Sequence, residues 1–369
     1  MDNNSPINPP TQISASHESW GSDSSAFWNQ LAADCEKQRS PDAVSPALLD
    51  ELASKLTPPT SQQVGWAKQS IGLYSENELW IIGDLHGDLL ALRALTTFAS
   101  YMSRKNNHQA AVCFLGDFFD DGSFGHAVLY EALTRIVSAD PPGFFVAGNH
   151  DLALCWNEAE NRFTADVAPH DFADWLNTQP TDSHWRKFVQ AVVVWFKSAP
   201  RALMFEDGTL VAHGGCVHSD RLGLLCQEPD GFNHPDVLED LVWLRAHDTA
   251  KRKVPNRTAR GCQFGVDDFA DFLIALNKLT GKAISRVIRG HDHVTNRWFA
   301  PPHYDGRLLT INAMSWRQRE PLGPFVRQPV IARYRSGESP ELFQLEIPEQ
   351  HVLHLYGEPR SAPCTTSAE

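Results

Sequence analysis

Five short blocks constrain what this chain can fold into: Gly83-Asp84-Leu85-His86-Gly87, Gly116-Asp117-Phe118-Phe119-Asp120, Gly148-Asn149-His150-Asp151, His213-Gly214-Gly215 and Gly290-His291-Asp292-His293. Each follows an apolar run of strand type, at residues 79–82, 111–115, 144–146, 210–212 and 287–288. A strand that ends in Asp, Asn or His delivers polar groups to the rim of a sheet, where loops carry chemistry on a rigid scaffold. The glycines permit sharp turns and positive φ, so the side chains beside them can converge on a small centre. Carboxylate and amide oxygens combined with imidazole nitrogens suit manganese, iron or zinc, and the absence of a thiolate cluster argues against a purely structural zinc site. One Gly-Asn-His triplet would carry little weight. Five blocks after five strands point to one centre.

The chain of 369 residues is 42% apolar, enough for a sizeable core, and reads as a single catalytic domain with tails. Its formal net charge of −13 disfavours a general nucleic-acid binder, because phosphate backbones need basic surface. Seven scattered cysteines, with no Cys-x-x-Cys pair, read as free thiols of a reducing compartment. The first residues lack the basic start and apolar stretch of a signal peptide, and apolar runs such as residues 191–196 are too short to span a bilayer. A cytoplasmic protein without a membrane or nucleic-acid partner is expected; the oligomeric state is left open.

Residues 1–25, rich in Asn, Ser and Pro, read as a disordered tail. Residues 26–75 read as a helical extension, with helices at 26–35 and 45–56, the second capped by Ser45 and stopped by Pro58-Pro59. The extension is expected to be a loosely attached lead-in. Residues 76–347 form the catalytic domain, and 348–369 a tail without periodicity. Helices are expected at 88–104, 124–137, 183–197 and 266–279, and late strands at 308–311, 330–334 and 342–345, read together as a second sheet. Trp156, Trp175, Trp185, Trp195 and Trp243 read as core.

Taken together, the five blocks resemble the calcineurin-like metallophosphoesterases and, among these, the PPP-type serine/threonine protein phosphatases. The resemblance runs from about residue 78 to about residue 316. It includes Asp240-Leu241-Val242-Trp243, Arg260-Gly261-Cys262-Gln263-Phe264-Gly265, and the helical stretch 185–200 ahead of His213. It implies an α/β (α+β) fold of two packed mixed β-sheets flanked by helices, with a dimetal site at strand ends. It further implies that Asp84 and His86 hold a first divalent ion (Mn, Fe or Zn), that Asn149, His213 and His291 hold a second, and that Asp117 bridges them. His293 matches an added ligand of the first ion in the wider superfamily. A hydroxide between the ions is the implied nucleophile, with His150 as general acid, Asp120 as its orienting carboxylate and Arg260 as a phosphate clamp.

The activity implied is dimetal-dependent hydrolysis of a phosphoester, in the first instance of serine and threonine phosphates in proteins. Several positions depart from that pattern. Asp121 and Ala147 stand where the family usually carries arginines, Asp151 replaces a glutamate, and His293 is not typical of protein phosphatases. Asp151-Leu152 resembles the symmetrical diadenosine tetraphosphate hydrolases, so that compound or another small phosphoester is the alternative substrate. A third reading, a non-catalytic scaffold, would need lost ligands, and none is missing. Arg245, Lys251, Arg252, Lys253, Arg257 and Arg260 form a basic run against Asp248 alone, which reads equally as a phosphate attractor or a solvated face.

Overall fold

The strand Asn77–Ile82 explains the layering of the molecule. In the computed structural model, which describes residues 10–15, 24–56, 66–68, 77–227, 231–254, 260–316, 319–320, 328–358 and 360–361, Leu79 to Ile82 are all fully buried. Side chains alternate between the two faces of a strand. Leu79 and Ile81 accordingly share a core with Val211, Ile288, Leu309 and Ile311 of a second sheet. Trp80 and Ile82 share another core with Leu92, Leu95 and Phe98 of a helix. Thr209–Ala212 divides in the same way, with Val211 between the sheets and Leu210 and Ala212 packed with Leu241, Phe269 and Leu273. The order of layers is helices, sheet, sheet, helices, as expected for two packed mixed sheets.

The first sheet runs Thr11–Ala15, Glu341–Leu345, Val330–Tyr334, Asn77–Ile82, Gln109–Phe114, Phe144–Phe145. The second runs Trp298–Phe299, Leu308–Ile311, Arg286–Arg289, Thr209–Ala212, Ala202–Met204, Trp66–Lys68. The inner strands that precede the five blocks are parallel to their neighbours: Asn77–Ile82 with Gln109–Phe114, the latter with Phe144–Phe145, and Thr209–Ala212 with Arg286–Arg289. All five blocks therefore leave carboxyl ends of strands, where open α/β sheets place their ligands. A parallel bridge between Asp84 and Asn312 joins the two sheets at that rim.

Helices form close to where periodicity and caps place them. Asp88 caps Leu89–Lys105 by accepting the Ala91 N–H at 2.9 Å, and Arg104 and Lys105 complement the dipole at the other end. Ser183 caps His184–Ser198 in the same way by accepting the Arg186 N–H at 3.3 Å, Asp268 reaches back to the Gly265 N–H at 2.8 Å at the start of Val266–Thr280, and Gly125–Val137 begins without a side-chain cap. The late strands correct the expectation of a separate sheet. Val330–Tyr334 and Glu341–Leu345 join the first sheet, with Ile331 antiparallel to Ile82, and only Leu308–Ile311 belongs to the second. Alternation shows that a segment is a strand but not which edge it meets.

Both ends of the described chain also differ from expectation. Thr11–Ala15 lies within the stretch read as disordered, yet it is a strand parallel to Glu341–Leu345, satisfying backbone groups at what would otherwise be a bare edge. Trp66–Lys68 covers Ala202–Met204 of the second sheet in the same way. Helices Ser24–Glu36 and Pro46–Lys55 are no loose lead-in, because Trp28, Cys35, Leu49 and Leu52 are buried in the main helical core. Ser45 occupies the cap position of the second without a side-chain cap bond, and Pro58 and Pro59 lie outside the described residues. Beyond residue 348, Glu349–Tyr356 is a helix too short for its period to be legible. Tyr356 stacks on Trp316 at 5.2 Å and donates its hydroxyl to Asp88 at 2.8 Å.

The burial of Trp28, 1% exposed, gives a first prediction. Trp28→Ala should lower unfolding free energy by about 3–5 kcal/mol, the usual cost of emptying a large aromatic site. Urea denaturation followed by circular dichroism measures it, and an unchanged midpoint would mean that the extension lies outside the cooperative core.

Candidate metal centre

The loops at the rim can meet because their glycines leave room. Gly116 and Gly148 pack backbone against backbone, and a Cβ on either would overlap the other loop. Backbone strain gathers there too. Of nine non-glycine residues with positive φ among the described residues, five are His86, Asp117, Asp120, Asp121 and His291. Such conformations persist where the surroundings over-determine them, and functional sites are where they concentrate.

Around this rim the sequence-expected ligands converge. Asp84, His86 and His293 form one group of donor atoms within reach of a single ion, and Asp117, His213 and His291 form another. Asp117 also groups with His86 and His150, so its carboxylate stands between the two sets. His293 Nε2 lies 3.4 Å from Asp84 Oδ2 and 3.2 Å from His86 Nε2. Asn149 Oδ1 lies 2.9 Å from both His213 Nε2 and His291 Nδ1, which are themselves 3.2 Å apart. Asp117 Oδ2 is 3.3 Å from His213 Nε2 and 3.7 Å from His86 Nε2.

The hydrogen bonds behind these rings test whether a cation fits. His86 Nδ1 faces the Phe119 carbonyl at 3.2 Å, His213 Nδ1 the Leu115 carbonyl at 2.7 Å, and His291 Nε2 the Trp243 carbonyl at 3.2 Å. A carbonyl only accepts, so each ring carries its hydrogen on that side and turns the other nitrogen toward the carboxylates and Asn149. Carbonyls behind imidazoles fix ring orientation in this manner at metal sites. Burial, helped by Arg245, holds His291 well below the usual imidazole range and therefore neutral. At His213 burial disfavours charge, but Asp117 outweighs it and raises the value. A cation placed between these atoms would face ring nitrogens, carboxylates and the Asn149 amide oxygen. Asp117 itself is opposed by burial, yet His213 and His150 keep it well below the usual carboxylate range.

Beside this cluster lies an acid–base pair. His150 Nδ1 is 2.7 Å from Asp120 Oδ2, and Asp120 Oδ1 accepts the Phe172 N–H at 2.9 Å. Burial opposes charge on His150, but Asp117 and Asp120 prevail and raise it to about 9. Asp121 adds to that rise; its side chain is buried next to the pair rather than extended into solvent.

Three carboxylates hold the loops without joining the ligand groups, and sequence reasoning assigned none of them this work. Asp151 accepts the N–H groups of Asp117 at 2.9 Å, Gly148 at 2.9 Å and Phe118 at 3.3 Å. Burial and the nearby Asp117 nevertheless push it up to about 7. Asp292 pairs with Arg289 and Arg245 and accepts the Ala246 N–H at 3.0 Å. Asp240 accepts the His218 N–H at 3.0 Å and the Arg221 guanidinium at 2.6 Å. The signal for the first two was their place inside the five blocks.

Arg260 is not gathered into the ligand groups. It is 60% exposed, pairs with Asp166, and lines a cleft of about 300 Å³ with Arg201, Asp236, Glu239 and Trp243. Other members of the basic run are engaged as well: Arg245 with Asp292, Arg252 with Gln263 and Lys253 with Asp220. Arg257 lies outside the described residues.

Comparison with known proteins agrees with this geometry. Residues 78–295, more than half of the chain, match the calcineurin-like phosphoesterases. The chain belongs to that family. A serine/threonine-protein phosphatase with EF-hands 1 from Rattus norvegicus is 22% identical to this metallophosphoesterase over 321 residues, 77% of this chain and 46% of the relative. The chain thus spans about half the length of that protein. A serine/threonine phosphatase from Saccharomyces cerevisiae, described as similar to human phosphatase PP5, superposes with a TM-score of 0.56 at 17% identity. That match covers 82% of this chain and 88% of the other, and it shows a shared fold. A cold-active protein-tyrosine phosphatase of a psychrophilic Shewanella aligns at 13% identity with a TM-score of 0.43, over 79% and 84% of the two chains. Among the described residues no helix is long and apolar enough to cross a membrane.

Proposed function

We propose that this metallophosphoesterase hydrolyses serine and threonine phosphates in proteins, with two manganese, iron or zinc ions. The observation that carries the reading is the convergence of unprotonated imidazole nitrogens, Asn149 Oδ1 and the Asp84 and Asp117 carboxylates beside the His150–Asp120 pair. Asp84, His86 and His293 would hold one ion, Asn149, His213 and His291 the other, with Asp117 between. Two divalent ions there would neutralise phosphate oxygens and supply a water of lowered pKa as the nucleophile. His150, protonated at neutral pH, would give its proton to the leaving oxygen while Asp120 fixes the ring. Arg260 would exchange Asp166 for a substrate phosphate, which its planar guanidinium can grip with two donors. The likeness to the rat serine/threonine-protein phosphatase supports the protein substrate. A reducing cytoplasmic setting is proposed as well, supported by the six described cysteines being free thiols.

A second reading, hydrolysis of diadenosine tetraphosphate or another small phosphoester, is favoured by one observation. Asp121, buried beside the acid pair, offers no donor to a phosphate dianion. Turnover of a phosphoserine peptide, diadenosine tetraphosphate and an aryl phosphate, measured in parallel, separates the readings. The peptide should be cleaved fastest, its turnover should vanish on chelation, and added manganese should restore it. Faster cleavage of the dinucleotide would transfer the assignment. No turnover of any of the three with both metals bound would leave the scaffold.

A further inference from the structure

A cleft of about 440 Å³ opens at the seam between the N-terminal extension and the catalytic domain, and none of the candidate metal ligands lines it. Its walls are Ser24–Glu36 with the turn Lys37–Arg39, Leu89–Lys105 and Gly125–Val137. The charged groups that line it are Lys37, Arg93 and Arg135 against Asp34 and Glu131. Both carboxylates are already engaged. Asp34 accepts Lys37 Nζ at 2.7 Å, and Glu131 accepts Arg93 Nε at 2.9 Å together with a second guanidinium nitrogen.

Arg135 is the cation left over. It follows Glu131 by four residues on one helix, the spacing at which opposite charges pair, but Arg93 reaches that carboxylate from the neighbouring helix instead. Among the described residues Arg135 has no hydrogen-bond, ion-pair or ring partner. Burial lowers the pKa of its guanidinium, and although Glu131 supports the charge, Arg93 opposes it. Its nitrogens are nevertheless not sealed away, so a molecule in the cleft can reach them. The Thr97 hydroxyl and the Gln38 side-chain amide line the same cleft, also without a partner among the described residues. A partly dehydrated guanidinium with neutral donors around it is matched by an oxyanion.

We propose that this seam cleft is a second, non-catalytic anion site, which binds the phosphate group of a small molecule through Arg135, with Thr97, Gln38 and the spare donors of Lys37 around it. An ammonium has three hydrogens, and Asp34 occupies one of those of Lys37. The donors stand on three different elements, an arrangement that suits a tetrahedral group with oxygens on every side better than a flat carboxylate with two. The phosphate has two sources, free orthophosphate or an organic monoester, and the cleft is of the size that small-molecule sites have. A ligand held there touches the extension and the domain at once. It therefore fastens the two together by binding the folded chain alone.

Calorimetric titration of the metal-loaded chain with inorganic phosphate, and separately with phenylphosphonate, a monoester mimic that cannot be hydrolysed, tests the proposal. Phosphate meets the metal centre as well, so the decisive quantity is the binding that depends on Arg135. Arg135→Gln should weaken one binding event by about ten- to a hundred-fold, the size of a charge-assisted hydrogen bond, and Thr97→Val should weaken the same event less. The inhibition constant of phosphate for turnover, which reads the metal centre, should not move in either variant. Tighter binding of phenylphosphonate at the Arg135-dependent event identifies an organic monoester as the ligand, and tighter binding of phosphate identifies the free ion. In phosphate-free buffer Arg135→Gln should melt no lower than the unaltered chain, because the substitution breaks no contact. Isotherms unchanged by Arg135→Gln would overturn the proposal, and so would a lowered phosphate-free melting temperature, which would give Arg135 a structural role. Acetate competing as well as phosphate would overturn the choice of phosphate.

Discussion

Asp117→Asn should leave the protein folded but unable to retain two ions, with hydrolysis falling by far more than the roughly 10–100-fold that follows loss of a group behind a metal ligand. The Asp117 carboxylate groups with His213 and His291 and also with His86 and His150, 3.3 Å from His213 and 3.7 Å from His86. Its other oxygen accepts the His150 N–H at 2.9 Å, so the side chain cannot simply turn away. Asparagine keeps the size but removes the negative charge, and its amide nitrogen cannot serve a cation. Metal content by plasma mass spectrometry and turnover of the phosphoserine peptide would be measured on the same preparation. Two ions per chain with normal turnover would sink the assignment of Asp117 as the shared carboxylate.

His150→Asn should separate metal binding from proton transfer. The variant keeps its ions, because Asn149, His213 and His291 meet without it, yet it slows alkyl phosphate hydrolysis by roughly 10²–10⁴-fold. With a value raised to about 9 the imidazole is protonated at neutral pH, the state a general acid requires. An aryl phosphate, whose leaving group needs little help, should lose much less. Comparing the two esters at fixed metal content gives the answer, and equal losses would count against His150 as the acid.

The strand ends carrying the candidate ligands were legible because each apolar run stops at or just before a glycine or histidine. Residues 330–334 and 342–345 read as strands from their own apolar content. Their partner did not, since Ile331 meets Ile82 only through the register of a distant segment. The groups that orient the imidazoles were invisible. They are the backbone carbonyls of Leu115, Phe119 and Trp243, and a carbonyl has no residue identity. Asp151 and Asp292 lay inside the blocks, but residue type cannot tell a carboxylate that binds a cation from one that ties loops together. The ion pair of Arg260 was invisible for a related reason. Its present partner, Asp166, comes from a segment that no pattern connected with it.

Pairing of Thr11–Ala15 with Glu341–Leu345 also bears on how the chain reaches this state. Residue 11 leaves the ribosome long before its partner strand exists, and the central Asn77–Ile82 likewise waits for Val330–Tyr334. Contacts between such distant segments close large loops before they return any stability, which slows folding. The first sheet therefore cannot be completed during synthesis until about residue 345 has emerged. Through most of translation the strands made first lack the partners that cover their edges in the finished sheet.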